Sequence, residues 1–241
     1  MKPLLIVDPG LTSYTDAFAL QQRIVAARKA NAIDDVLLIN QHRHVLTLGR
    51  NGKRDNLLAS EHVLRQKGVE FHLSNRGGDI TYHGPGQIVG YPILDLSRIK
   101  PDVHWYVRTL EDVMIRTTAD FGITAYRIPG KTGVWVEASP HEEKLAAIGV
   151  HISRWVTSHG FAYNVSTDLR YFDLIVPCGI AERKATSLEK LLSRAVALDE
   201  VKPRLIHHFA ELFALQVDPI SAEELNSLLD NAVVQDYSQH P

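Results

Sequence analysis

Apolar residues along this chain fall mostly in short blocks, with a few helical stretches between them. Leu4 to Asp8 is such a block and predicts a first strand. From Ser13 to Lys29 the period changes. Ala17, Leu20, Ile24 and Ala27 recur at helical spacing, Ser13 stands where a cap belongs, and Asp16 follows near the positive end of the helix dipole. Val36 to Asn40 and Val45 to Leu48 predict two strands around a turn at His42-Arg43. Leu57 to Gln66 reads as a helix and Val69 to Leu73 as a short strand. A glycine-dense loop then precedes a strand over Gln87 to Leu94. Val103 to Phe121 predicts a second long helix with Asp102 as its cap. Gly133 to Val136 and Lys144 to Ile152 predict a hairpin across a polar turn containing Pro140, and Phe161 to Val165 a further strand. Beyond residue 178 the pattern turns helical, over Ser187 to Leu198, Lys202 to Leu215 and Ala222 to Leu229, with fraying over the last dozen residues.

Strands dominate the middle and helices the two ends, without regular β-α-β alternation. That order predicts an α+β fold with a mixed sheet rather than a doubly wound parallel one. A single domain over residues 1–220, followed by a helical, polar tail over 221–241, is the expected organisation. The 241 residues are ample for a sizeable core. With 26 basic and 28 acidic side chains the formal charge is −2, which offers no electrostatic case for nucleic acid or an anionic membrane. The N-terminal apolar run is interrupted at Asp8-Pro9-Gly10, so no signal-peptide core is expected, and no stretch approaches the ~20 apolar residues of a membrane helix. The sole cysteine cannot form an internal disulfide. These features predict a cytoplasmic protein.

That cysteine, Cys178, sits between Pro177 and Gly179. Proline stiffens the approach and glycine permits a close turn, so the thiol is presented on a loop. Two readings stand side by side: a buried thiol acting as a small apolar residue, and a nucleophile. A nucleophilic thiol needs a cation nearby to lower its pKa from ~8.5. Lys144, at the start of the apolar strand Leu145-Ala146-Ala147-Ile148-Gly149-Val150, is one candidate, either solvated at a strand end or turned inward and partly desolvated. His83 is the other. It belongs to the segment Arg76-Gly77-Gly78-Asp79-Ile80-Thr81-Tyr82-His83-Gly84-Pro85-Gly86-Gln87, whose glycines expose backbone N–H groups. Its glycine spacing matches neither a dinucleotide fingerprint nor a P-loop. So much glycine, aromatic and charge in one loop points to binding. In His159-Gly160-Phe161-Ala162 the small residues Gly160 and Ala162 leave room beside a sheet for an apolar chain. Twelve histidines invite a metal reading, but neither His42 with His44 nor His207 with His208 has a matching third ligand at known spacing, so no metal is expected.

Four stretches together resemble the lipoyl(octanoyl) transferase family: Arg76 to Gln87; Lys131-Thr-Gly-Val-Trp-Val136; Lys144-Leu-Ala-Ala-Ile-Gly149 with His159-Gly-Phe-Ala162; and Val176-Pro-Cys-Gly179. They occur in the family's order, between about residues 40 and 190. The resemblance implies a mixed, largely antiparallel sheet flanked by helices, similar to biotin and lipoate protein ligases. It implies that Cys178 carries an acyl thioester with Lys144 as its partner. It implies an acyl site lined by Arg76, Gly77, Gly78, Asp79, Ile80, Thr81, Tyr82, His83, Ala147, Ile148, Gly149, Gly160, Phe161 and Ala162. The family often has Ser where Ala147 stands, which puts a side-chain contact there in question but not a backbone one. The implied donor is octanoyl-acyl carrier protein. The implied acceptors are lipoyl domains of 2-oxoacid dehydrogenases and the glycine-cleavage H protein. No cofactor or ATP is implied, and a monomer is expected. Two rival readings are an ATP-dependent lipoate or biotin ligase and a non-catalytic acyl-binding module.

Overall fold

The first helix starts where its cap dictates. In the computed structural model, which describes residues 2–138, 141–176 and 184–238 (side chains only to 232), Ser13 accepts the N–H of Asp16 and opens α1 (Tyr14–Lys29). Strand β1 (Lys2–Thr12) precedes it. After it come β2 (Asp35–His42), β3 (Val45–Leu48), α2 (Glu61–Gln66), β4 (Glu70–Leu73), β5 (Ile80–His83) and β6 (Gln87–Ile93). The middle holds α3 (Leu96–Ile99), α4 (Val103–Ala119), β7 (Ala125–Ile128), β8 (Lys131–Ala138), β9 (His141–Ser153) and β10 (Val156–Asn164). The chain ends with α5 (Leu188–Leu192), α6 (Leu198–Phe213), β11 (Leu215–Pro219) and α7 (Ala222–Ser238).

An eight-stranded sheet runs β11-β1-β2-β6-β10-β9-β8-β7. Its first three strands are parallel and every pair from β2–β6 onward is antiparallel. This is the expected mixed sheet with helices on both faces. Alternate residues of β1 and β2 supply both cores. Leu4, Ile6, Leu37 and Ile39 face α4 and α6, while Leu5, Val7, Val36 and Leu38 face α1 and α7. Burial on both faces explains why these strands read as unbroken apolar runs. Leu225 and Leu229 of α7 are buried in the second core, and Arg23 of α1 reaches Asn226 at 2.8 Å and Asp230 at 2.7 Å.

The structure corrects several local expectations. The strands at 36–40 and 45–48 do not pair around His42-Arg43. β3 leaves the large sheet and joins a small one, ordered β4-β3-β5. All four of its residues are buried, and a short run buried on both faces does not say which neighbour it takes. β5 lies inside the segment expected to be loop, with Ile80 and Tyr82 on one face packing into a third core. The helix expected from Leu57 begins only at Glu61, capped by Ser60, and Leu57 bridges to Ile175 instead. The helix expected over Ser187 to Leu198 stops at Leu192, where Ser193 turns left-handed (φ 52°). α6 then starts earlier than expected, at Leu198, because the Glu200 carboxylate accepts the N–H of Ala197. It ends at left-handed Ala214 (φ 53°), so Leu215 opens a strand rather than closing a helix. The β8–β9 hairpin forms as expected, and its turn at Pro140 lies outside the described residues.

One ion pair is fully enclosed. Arg28 Nε donates to Asp35 Oδ1 at 2.6 Å, both side chains 3% exposed, and the N–H of Asp95 also reaches Asp35. Arg28→Ala strands a buried carboxylate and is expected to cost about 3–5 kcal/mol, whereas Arg28→Met with Asp35→Leu costs far less. Urea denaturation of the three proteins checks this.

Candidate active site

The site is built on the β9–β10 ladder. Ala147 faces Ala162, Ile148 faces Phe161, and Gly149 faces Gly160. Side chains here are small where another backbone must approach. A Cβ on Gly149 would lie 2.8 Å from the Gly77 carbonyl oxygen, and one on Gly160 would lie 2.2 Å from that of Gly90. Beside this ladder opens a cavity of about 320 Å³, within the range of small-molecule sites. One wall is Arg76, Gly78, Asp79, Ile80, Thr81 and His83, and another is Ala147, Ile148 and Gly149 with Gly160, Phe161 and Ala162.

Two of the residues expected at the acyl site sit elsewhere. Gly77 pins the loop to the sheet through its N–H and Val150 O, 2.9 Å apart. Tyr82 turns into the small-sheet core, stacked on Tyr171 with its hydroxyl 2.7 Å from His44 Nδ1. The period-2 alternation of β5 favours this, because Thr81 and His83 take the cavity side and Tyr82 the other, while Ile80, first in the strand, belongs to the core of Tyr82 and also borders the cavity. Tyr91, His159, Trp135, Lys131 and Phe172 also line the cavity and were not anticipated. His159 stood beside the noticed glycine, and its φ of 54° was not legible in its type.

A hydrogen-bond chain runs beneath this wall. Arg76 donates to the Thr47 carbonyl at 2.6 Å, to Thr47 Oγ1 at 2.9 Å and to the Gly77 carbonyl at 3.0 Å. Thr47 Oγ1 lies 3.4 Å from His83 Nε2. Gln87 Nε2 donates to Asn164 Oδ1 at 2.8 Å, so Gln87 Oε1 accepts from His83 Nδ1, also at 2.8 Å. Asn164 Nδ2 donates to Thr186 O at 2.9 Å, and the Thr186 N–H donates to Lys144 O at 2.9 Å. The glycine loop is thereby tied to the strand bearing Lys144.

Lys144 is half-buried and lines the cavity, with its ammonium 4.7 Å from the centre of the Trp135 ring. Its main chain clamps a returning segment, with the N–H donating to Lys184 O at 3.0 Å and the carbonyl accepting from Thr186. Upstream, the Val176 N–H donates to Asn56 O at 2.8 Å. Cys178 falls between these two anchors and lies outside the described residues. A carboxylate that the sequence reading passed over supports the opposite side. Glu111, fully buried on α4, accepts the Gly133 N–H at 3.0 Å and binds Arg108 and Arg127 at 2.8 Å. It holds the start of β8, where Lys131 lines the cavity.

The histidines near the cavity are held neutral. Burial lowers His42 to about 4, and burial with the nearby Arg76 and His151 charges lowers His159 to about 3. Burial, His42 and Arg76 push His83 well below its usual range. His42 and His44 are not a ligand pair, because His42 Nε2 engages Tyr91 and His44 engages Tyr82. An unfolded histidine takes up a proton near pH 6.5 while these do not, so the unfolded state binds more protons as pH falls. Stability is therefore full above pH 6.5 and lost toward pH 4. At ~1.4 kcal/mol per pH unit, His42 alone contributes about 3 kcal/mol of that loss. Urea midpoints from pH 7.5 to 4 should fall accordingly, with a shallower fall in His42→Gln.

Together with its matches to known proteins, a mixed sheet with a second small sheet and a lysine beside a mainly apolar cavity place the chain in the class of catalytic domains of the lipoate-ligase fold. The lipoyl protein ligase A/B catalytic domain matches residues 13–210. The chain is 54% identical over 210 residues to the octanoyltransferase of Solibacter usitatus, covering 87% of this chain and 93% of that one. It is 49% identical over 226 residues to the octanoyltransferase of Koribacter versatilis, covering 93% and 89%. Its fold is similar to that of the bi-partite lipoate protein ligase of Thermoplasma acidophilum, with a TM-score of 0.69 at 17% identity over 95% of this chain and 91% of that one. It is more distantly similar to biotin protein ligase from Aquifex aeolicus, with a TM-score of 0.52 at 14% identity over 89% and 71%. The chain belongs to the octanoyltransferase family.

Proposed function

We propose that this protein transfers an octanoyl group from acyl carrier protein to a lysine of a lipoyl domain, through a thioester on Cys178. The observation that carries this reading is the clamp on Lys144. The segment after Cys178 returns onto the backbone of the one strand that also lines the cavity and bears the candidate partner lysine. In the first step the Cys178 thiolate attacks the donor thioester. A new carbon–sulfur bond forms, the old one breaks, and the departing pantetheine thiolate takes a proton from the Lys144 ammonium, leaving as the thiol. In the second step the acceptor amine attacks, the amide forms, Cys178 leaves as thiolate, and the amine's proton passes to Lys144. His83 is the weaker candidate for that proton, since its surroundings oppose the imidazolium. The octanoyl chain lies along Ile148, Phe161 and Ala162, and the glycine loop covers it. Acceptors are lipoyl domains of 2-oxoacid dehydrogenases and the glycine-cleavage H protein. The enzyme works in the cytoplasm as a monomer. No helix among the described residues is long and apolar enough to cross a membrane.

The test uses purified protein with octanoyl-acyl carrier protein and a lipoyl domain, without ATP. Intact-mass measurement should show one hydroxylamine-labile octanoyl group on the enzyme and then one stable octanoyl group on the acceptor. Product formed only from free octanoate with ATP would establish a ligase instead.

A further inference from the structure

The sequence offers His207 and His208 as neighbours without a third ligand, and the helix supplies one. Glu211 stands four residues from His207 and three from His208, so all three reach one patch of α6. A ligating atom from each lies within 4.8 Å of the others. A second, independent observation concerns which nitrogen of His208 is available. Asp120, at the C-terminal end of α4, lies 2.8 Å from His208 Nε2 and accepts its proton. That bond leaves the lone pair on Nδ1. Nδ1 is buried, has no hydrogen-bond partner, and faces Glu211 Oε2 at 3.9 Å. A lone pair and a carboxylate oxygen at that distance repel, and a cation between them turns the repulsion into attraction. A carboxylate on the far nitrogen of an imidazole is the arrangement that orients metal-bound histidines.

The geometry points to a divalent transition-metal site on the α4–α6 seam, with His207, His208 Nδ1 and Glu211 as ligands and Asp120 as the orienting carboxylate. Two imidazoles and one carboxylate suit zinc and its first-row neighbours rather than calcium or magnesium. His207 and Glu211 are exposed, which leaves the remaining positions to water. Bound metal clips the end of α4 to α6 at a place where Arg116 already pairs with Glu211 Oε1 at 3.1 Å. Arg116 therefore competes with the metal for that carboxylate. None of these residues lines the Lys144 cavity, so the site is independent of acyl transfer.

The test is calorimetric titration of the tag-free chain with zinc chloride, with cobalt chloride as a spectroscopic probe. One zinc per chain is expected. Asp120→Asn should weaken binding about 10–100-fold, and His208→Ala and Glu211→Gln should each weaken it more. His207→Ala, at an exposed position, gives the same loss without threatening the fold. Arg116→Gln should tighten binding, which a merely structural effect on the seam would not produce. Octanoyl transfer by Glu211→Gln should be unchanged. The proposal is overturned if no stoichiometric zinc binds. It is also overturned if binding survives His208→Ala and Glu211→Gln, or if cobalt gives a thiolate charge-transfer band, which would put the metal on Cys178.

Discussion

Cys178→Ser is expected to lower octanoyl transfer roughly 10³-fold or more and to leave no hydroxylamine-labile adduct on the enzyme. A serine oxygen in the same place is a poor nucleophile without a strong base, and the partner proposed here, Lys144, is an ammonium. Any ester that forms is a worse acyl donor to an incoming amine than a thioester. Intact-mass spectra taken during turnover read the adduct, and acceptor octanoylation reads the rate. Transfer at the wild-type rate in this variant would remove the covalent relay from the mechanism.

Lys144→Ala is expected to cost about 10²–10⁴ in kcat/KM, the usual worth of a positioned proton donor and acceptor. The loss should fall mainly on kcat, because the apolar wall proposed to hold the acyl chain is untouched. Lys144→Arg should not restore activity, since a guanidinium keeps its charge but does not release its proton. A second readout separates this role from packing against Trp135. In Lys144→Ala the pH profile of Cys178 alkylation should move up toward the free-thiol value of ~8.5. An unmoved profile with lost activity would make the Lys144 side chain a packing element, acting through its contact with Trp135, since the main-chain bonds to Lys184 and Thr186 survive the substitution.

The long elements were legible because their chemistry is local. Ser13 and Asp102 cap α1 and α4 with their own side chains, and the apolar periods of those helices belong to single segments. The β9–β10 wall of the cavity was legible for a different reason. Gly149 and Gly160 are glycine because another backbone touches them, and that demand leaves a mark in the sequence. What could not be read depends on distant partners. β3 looks like any apolar run, and only β5 and β4 decide which sheet it joins. Glu111 looks like one more surface acid of a long helix until Arg108, Arg127 and Gly133 close around it. Ser193 and Ala214 end helices in left-handed conformations that neither residue type announces.

The pairing of β1 with β11 joins segments more than 200 residues apart, from Lys2 opposite Leu215 to Ile6 opposite Pro219. One edge of β1 is covered early by β2, but the other waits for a strand that follows far along the chain. At ribosomal speeds of ~5–20 residues per second, the roughly 200 intervening residues take about 10–40 s to appear. During that interval the growing chain carries an open apolar strand edge of the kind that invites intermolecular pairing. Leu215–Pro219 thus covers that edge of β1 as a seal against self-association, and a message truncated before it should yield aggregates rather than a smaller soluble enzyme.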